Sequence, residues 1–138
     1  MTSVTKLLLL LAVALLVLVS CSDATGPTAP TPGTLLLTLS SPHDDDGALL
    51  LHVAGPAITP AAVAAATGTL QVFARSGTDG GVAVAVFGSP GAGPLLRLQV
   101  TDVTRYDAYH VTVVEAADAN NVLRAVVTGY SARFVKER

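Results

Sequence analysis

Hydrophobic and polar residues alternate along most of the chain after residue 33. In the first such segment Leu35, Leu37 and Leu39 fall on one face, and Thr38 and Ser40 fall on the other. This period of two is the pattern of a half-buried β-strand, because successive side chains of a strand point to opposite faces. Equivalent segments predict seven strands, at residues 34–40, 48–54, 69–75, 82–88, 95–101, 109–115 and 122–129. Seven short strands separated by turn residues predict an all-β sandwich or barrel.

The segments between the predicted strands carry turn residues. Residues 78–81 read Thr-Asp-Gly-Gly and predict a hairpin turn. Residues 118–121 read Asp-Ala-Asn-Asn, and asparagine tolerates the positive φ that such turns require. Only residues 59–66 have helical character, with Thr59 as a predicted cap and Pro60 at the first helical position.

One segment resembles a known family. Residues 109–116 begin Tyr-x-Val-x-Val, and Asn120 and Asn121 follow them. This arrangement resembles the late hairpin of fibronectin type III and other immunoglobulin-like domains, and bacterial cohesin-like sandwiches are a comparable resemblance. The resemblance implies a single Ig-like antiparallel β-sandwich of about seven strands over residues 34–138. It also implies that Tyr106 or Tyr109 supplies a tyrosine-corner hydroxyl.

The chain begins with a different pattern. Residues 7–19 form a run of thirteen apolar residues that Lys6 precedes. A membrane-spanning helix needs about 20 such residues, so this run is too short to be one. A basic residue followed by a short apolar stretch is typical of a secretory signal peptide.

The run ends in the motif Leu18-Val19-Ser20-Cys21. This motif resembles the bacterial lipobox, which implies cleavage of residues 1–20 and acylation of Cys21. In lipoproteins, an aspartate directly after the cysteine tends to retain the protein at the inner membrane, and here that residue is Ser22. The resemblance therefore implies sorting to the outer membrane if the host has one. The alternative is an ordinary cleaved signal with an incidental cysteine.

Residues 21–33 follow as a Pro/Thr-rich stretch without large apolar side chains, and we predict that they form a disordered tether.

Composition and charge narrow the classes of function. The 138 residues allow one domain beside the signal, and 51% of them are hydrophobic while 13% are charged. Mean hydropathy is +0.59, and the apolar run accounts for part of it. The net charge of −2 provides no basic field for nucleic acid. A single cysteine allows no internal disulfide.

Two groups of side chains are candidate sites. Asp44, Asp45 and Asp46 are hard-oxygen donors in one turn, so one hypothesis assigns them to Ca²⁺, and the alternative is a solvated acidic turn. Tyr106 and Tyr130 are the aromatic residues least expected in the core, so they are candidates for a ligand platform. Phe73 and Phe87, by contrast, are expected to be core or strand residues.

The sequence therefore favours a non-catalytic lipoprotein of the cell envelope that presents a small adhesion, scaffold or interaction module. Its expected partners are the membrane, through the lipid on Cys21, and an envelope protein or glycan. No cofactor besides that lipid is expected, with Ca²⁺ as the open exception. The first alternative is a carbohydrate- or calcium-binding module. The second is a small envelope hydrolase, which would use a carboxylate pair such as Glu115 and Asp118.

Overall fold

Leucine and valine at alternate positions build two antiparallel sheets of four strands each. The computed structural model describes residues 26–138. Its strands are β1 (Gly33–Ser40), β2 (Asp46–Ala54), β3 (Val63–Ala65), β4 (Gln71–Ser76), β5 (Val82–Phe87), β6 (Gly93–Val100), β7 (His110–Asp118) and β8 (Ser131–Lys136). The first sheet has the order β3-β6-β1-β8, and the second has the order β4-β5-β2-β7. The prediction of an all-β sandwich is confirmed, with eight strands.

Consecutive strands lie mostly in different sheets. Among the strands of residues 26–138, only β4 and β5 are joined as neighbours, through the predicted hairpin turn, in which the Gly77 N–H donates to the Gly81 carbonyl at 2.7 Å. Every other connection crosses from one sheet to the other. Immunoglobulin constant domains keep their first two strands in one sheet, whereas here β1 and β2 lie in opposite sheets. Apart from the β4–β5 hairpin, each sheet therefore pairs strands that are far apart in the sequence.

The core lies between the two inner faces. The alternating leucines of β1 point inward together with Leu51 and Val53 of β2 and Val84 of β5. Tyr109 and Phe134 complete the core, with their rings edge to face at 6.4 Å between centroids. The Tyr109 hydroxyl donates to the Pro56 carbonyl at 3.3 Å, so its partner lies in the connection after β2.

The prediction of a strand at residues 122–129 is wrong. Only an isolated bridge between Ala117 and Leu123 forms there, and Asn121 takes the positive φ predicted for this turn. The strand lies later, at Ser131–Lys136, and pairs with β1 at the edge of the first sheet. Phe134 explains the difference, because its ring fills the core beside Tyr109 while the apolar side chains of residues 122–126 remain exposed.

The predicted helix at residues 59–66 is also only partly correct. A single 3₁₀ turn spans Pro60–Ala62, with proline at its start, and β3 follows at once. The Thr59 side chain makes no capping hydrogen bond.

The predicted signal peptide and Cys21 lie outside the described residues. Residues 26–32 are exposed and have no regular secondary structure. The sandwich fixes the end of this segment at Thr31, whose N–H donates to the Asp102 carboxylate at 3.3 Å. The Thr31 carbonyl accepts from the Val103 N–H at 2.8 Å.

Candidate functional site

A polar cluster closes one end of the sandwich around Asp46. This residue begins β2, and its carboxylate is completely buried. It accepts hydrogen bonds from Ser41 Oγ at 2.5 Å, from Tyr130 Oη at 2.6 Å and from Arg124 Nε at 2.9 Å. These donors come from the β1–β2 and β7–β8 connections, so the cluster ties together two segments that are far apart in sequence.

The cluster also fixes the charges of its members. Burial raises the pKa of Asp46, but the hydrogen bonds from Ser41, Tyr130 and Arg124 outweigh it and hold the pKa below its ordinary value. Burial opposes the charge on Arg124, yet its bonds to Asp45 and Asp46 hold the pKa of the guanidinium above its ordinary range. Burial and the bond to Asp46 both raise the pKa of the Tyr130 hydroxyl. The cluster is therefore a paired, hydrogen-bonded unit at neutral pH.

This arrangement bears on the predicted calcium ligands. Arg124 Nη2 lies 2.6 Å from Asp45 and 2.9 Å from Asp46, while Asp44 is exposed. A Ca²⁺ ion bound to this turn would have to compete with the guanidinium for two of its three carboxylates. Within residues 26–138, no group of three His, Cys, Asp or Glu side chains is placed to hold a metal ion. Binding of Ca²⁺ stays a prediction that calorimetric titration of the protein can test.

The two candidate tyrosines lie apart. Tyr130 immediately precedes β8, and its hydroxyl is bound to Asp46. Tyr106 lies near the other end of β8, where Lys136 Nζ stands 5.4 Å from its ring centroid. Six strand residues separate the two ends, which corresponds to roughly 20 Å. The two rings therefore do not form one platform.

A larger feature is the outer face of the second sheet, which we call the apolar face. The β-ladders align its side chains in three cross-strand rows. The first is Gln71, Phe87, Ala48 and Ala117; the second is Phe73, Ala85, Leu50 and Glu115; the third is Arg75, Ala83, His52 and Thr112. The central strands carry alanine, leucine and phenylalanine at every position of these rows except His52, and four of the six edge-strand positions are polar.

Two phenylalanines make this face strongly apolar. Phe73 is 62% exposed and Phe87 is 42% exposed, and their rings meet edge to face at 6.0 Å between centroids. The alanines beside them leave two shallow grooves on either side of Leu50, each with a volume of about 160 Å³. Leu123 extends the apolar surface beyond β7 and is 66% exposed.

Sequence reasoning missed this face. Phe73 and Phe87 are strand residues, as expected, but they point outward. The alternation within β5 contained the information: Val82, Val84 and Val86 share the inner face, so Phe87 has to fall on the other. At the polar corner of the face, His52 Nε2 lies 2.8 Å from the carboxylate of Asp79 in the hairpin turn.

Comparison with family models, with curated proteins and with solved structures found no match to this chain. No helix among residues 26–138 is long and apolar enough to cross a membrane.

Proposed function

We propose that this protein is an exported lipoprotein, held at the cell envelope by acyl chains on Cys21, and that its sandwich is a non-catalytic binding module. The apolar face is its contact surface. The lipobox-like motif ending in the single cysteine supports the anchor. The exposed residues 26–32, which lead into β1, support a spacer between the lipid and the sandwich.

The observation that carries the binding function is the exposure of Phe73 and Phe87 side by side on a regular sheet. The largest contiguous apolar patch of a soluble monomer, typically about 300–600 Å², is often a site of interaction. Covering apolar surface contributes about 25 cal/mol per Å² towards binding, against the entropic cost of association. Around Asp46, by contrast, the polar groups already satisfy one another, which supports a structural role for that cluster.

The anchor is tested by replacing the acylated residue. In cells supplied with labelled fatty acid, the Cys21→Ser variant should carry no label and should leave the membrane fraction, because it lacks the thiol that receives the lipid. Ser22→Ala is the matched control and should remain labelled and membrane-bound. Unchanged membrane attachment of Cys21→Ser would contradict the proposed anchor.

The contact surface is tested by two matched positions. Gln71 lies at the rim of the apolar face, and Gln99 lies on the outer face of the first sheet; both side chains are exposed. A photo-crosslinking amino acid placed at Gln71 of the full chain should give protein or lipid adducts in intact membranes. The same group at Gln99 should give few. Equal yields at both positions would contradict the assignment of the apolar face.

A further inference from the structure

We infer that the apolar face binds the same face of a second copy of this chain, the two copies being related by a two-fold axis parallel to the strands. This inference rests on the proposed function, because it names the partner of the same surface. Its support is the self-complementary arrangement of side chains in the three cross-strand rows.

Size complementarity follows from the positions of β5 and β2 at the centre of the sheet. A two-fold axis running between them places each β5 side chain opposite a β2 side chain of the other copy in the same row. Phe87 then faces Ala48, Ala85 faces Leu50, and Ala83 faces His52. Between the two central strands a large side chain thus meets an alanine in every row, as interdigitating sheets require. Between the edge strands, Phe73 faces Glu115 and Arg75 faces Thr112.

Charge complementarity selects the same axis. Arg75 lies on the edge strand β4, and Glu115 lies on the opposite edge strand β7, one row away. The axis parallel to the strands brings β4 of one copy over β7 of the other. Each Arg75 is then offset by one row, about 7 Å along the strands, from the Glu115 position of the other copy, across a sheet separation of about 10 Å that the two long side chains span together. No ion pair within residues 26–138 involves either side chain, so both are available for this contact.

The other face-to-face arrangement is disfavoured. A two-fold axis perpendicular to the strands would leave the second row opposite itself, and Glu115 would face Glu115. Directly opposed like charges are destabilising. Leu50 would also face Leu50, with Ala85 opposite Ala85, so large and small side chains would not alternate across the second row, at the centre of the contact.

The area of the face indicates how strong the contact is. Four strands and three rows cover roughly 400 Å² of sheet per copy, from ordinary strand and residue spacings. Two such faces bury about 800 Å², less than the ~1,200 Å² of stable interfaces. The dimer is therefore weak in dilute solution. It suits copies held in one membrane, where confinement raises the effective concentration.

The test uses two copies of the full chain with different tags, expressed together, with the photo-crosslinking amino acid at Gln71. The wild-type pair should give an adduct of both tags, crosslinked near Ala117, which faces Gln71 across the proposed axis. R75E on both copies, or E115R on both, should lower the yield about fivefold, because two attractive contacts become repulsive. R133E, which changes an exposed arginine on the outer face of the first sheet, is the control and should leave the yield unchanged.

The decisive combination has R75E on one copy and E115R on the other. Both contacts are then between opposite charges, so the yield of the mixed pair should recover to near the wild-type value, which a folding defect cannot produce. Failure to recover, or the absence of any adduct of two tagged copies, would overturn the inference. Adducts at Gln71 that contain only lipid or another protein would overturn it while leaving the proposed contact surface intact. No adduct of any kind at Gln71 would overturn both.

Discussion

The two sheets have similar inner faces and very different outer ones. On the outer face of the first sheet, Leu36 and Val135 lie among Thr38, Arg97 and Arg133. On the outer face of the second sheet, the central strands carry alanine, leucine and phenylalanine at all positions of the three rows except His52. Since both sheets bury their inner leucines and valines against each other, stability alone does not require the second outer face to be apolar. This difference is the basis for assigning contact to one face of the sandwich.

The largest expected effect on stability comes from the inner face of β2, and its outer face provides the comparison. Leu51 is buried in the core, and its neighbour Leu50 lies on the apolar face. Leu51→Ala should lower the free energy of unfolding by about 3 kcal/mol, because it leaves a cavity between the sheets. Leu50→Ala should cost less than about 1 kcal/mol. Urea unfolding followed by circular dichroism measures both, and equal losses would contradict the assigned inner and outer faces.

The next largest effect concerns the Asp46 cluster, which joins the β1–β2 connection to the β7–β8 connection. Asp46→Ala should destabilise the protein by roughly 3 kcal/mol or less, because Arg124 and Tyr130 lose their buried partner. Asp44→Ala is the control, since Asp44 is exposed, and it should change the unfolding free energy little. If both variants unfold at the same urea concentration, the cluster does not stabilise this end of the sandwich.

The same cluster predicts a pH dependence. The pKa of Asp46 lies below its ordinary value of 3.8 in the folded chain, so the folded state favours the carboxylate. This stabilisation is complete above about pH 4 and is lost as pH falls through the lower folded pKa. Unfolding free energies of wild type and Asp46→Asn should therefore converge as pH falls from 4 towards 2. A constant difference over this range would contradict the role assigned to the carboxylate.

The smallest effects compare exposed side chains of the two outer faces. Arg97 bonds Glu137 at 2.6 Å and the Ala66 carbonyl at 2.8 Å, so Arg97→Ala should cost about 0.5–1 kcal/mol. Phe73→Ser should change the unfolding free energy by about 0.5 kcal/mol or less, because the ring is largely exposed. Thermal unfolding measures both. A large loss from Phe73→Ser would mean that this ring serves the fold rather than a partner.

The fold was largely predictable because alternation records which side chains are buried. Leu35, Leu37 and Leu39 point inward as predicted, and the hairpin turn predicted from Thr-Asp-Gly-Gly forms at residues 78–81. The last strand was misplaced because residues 122–129 and 131–136 are both rich in strand formers. Only the fit of Phe134 into the core, a long-range contact, distinguishes them.

The candidate sites were harder to predict because they depend on contacts between distant residues. Asp46 and Arg124 are 78 residues apart, and nothing in the turn at residues 44–46 indicates that a guanidinium neutralises it. The apolar face was partly predictable from the outward positions of β4 and β5. Its pattern of large and small side chains, however, depends on the register between β5 and β2, which is a property of the paired sheet.

Carbene footprinting of the full chain tests most directly whether a partner covers the outer face of the second sheet and leaves that of the first sheet open. Leu36 and Leu50 form a matched pair, since both are half-buried leucines on the outer faces of central strands. In native membranes, labelling of Leu50 and Phe73 should fall several-fold relative to the purified protein at high dilution, while labelling of Leu36 should stay the same. Equal labelling of Leu50 in both conditions, or equal protection of Leu36 and Leu50, would contradict a contact surface on the second sheet.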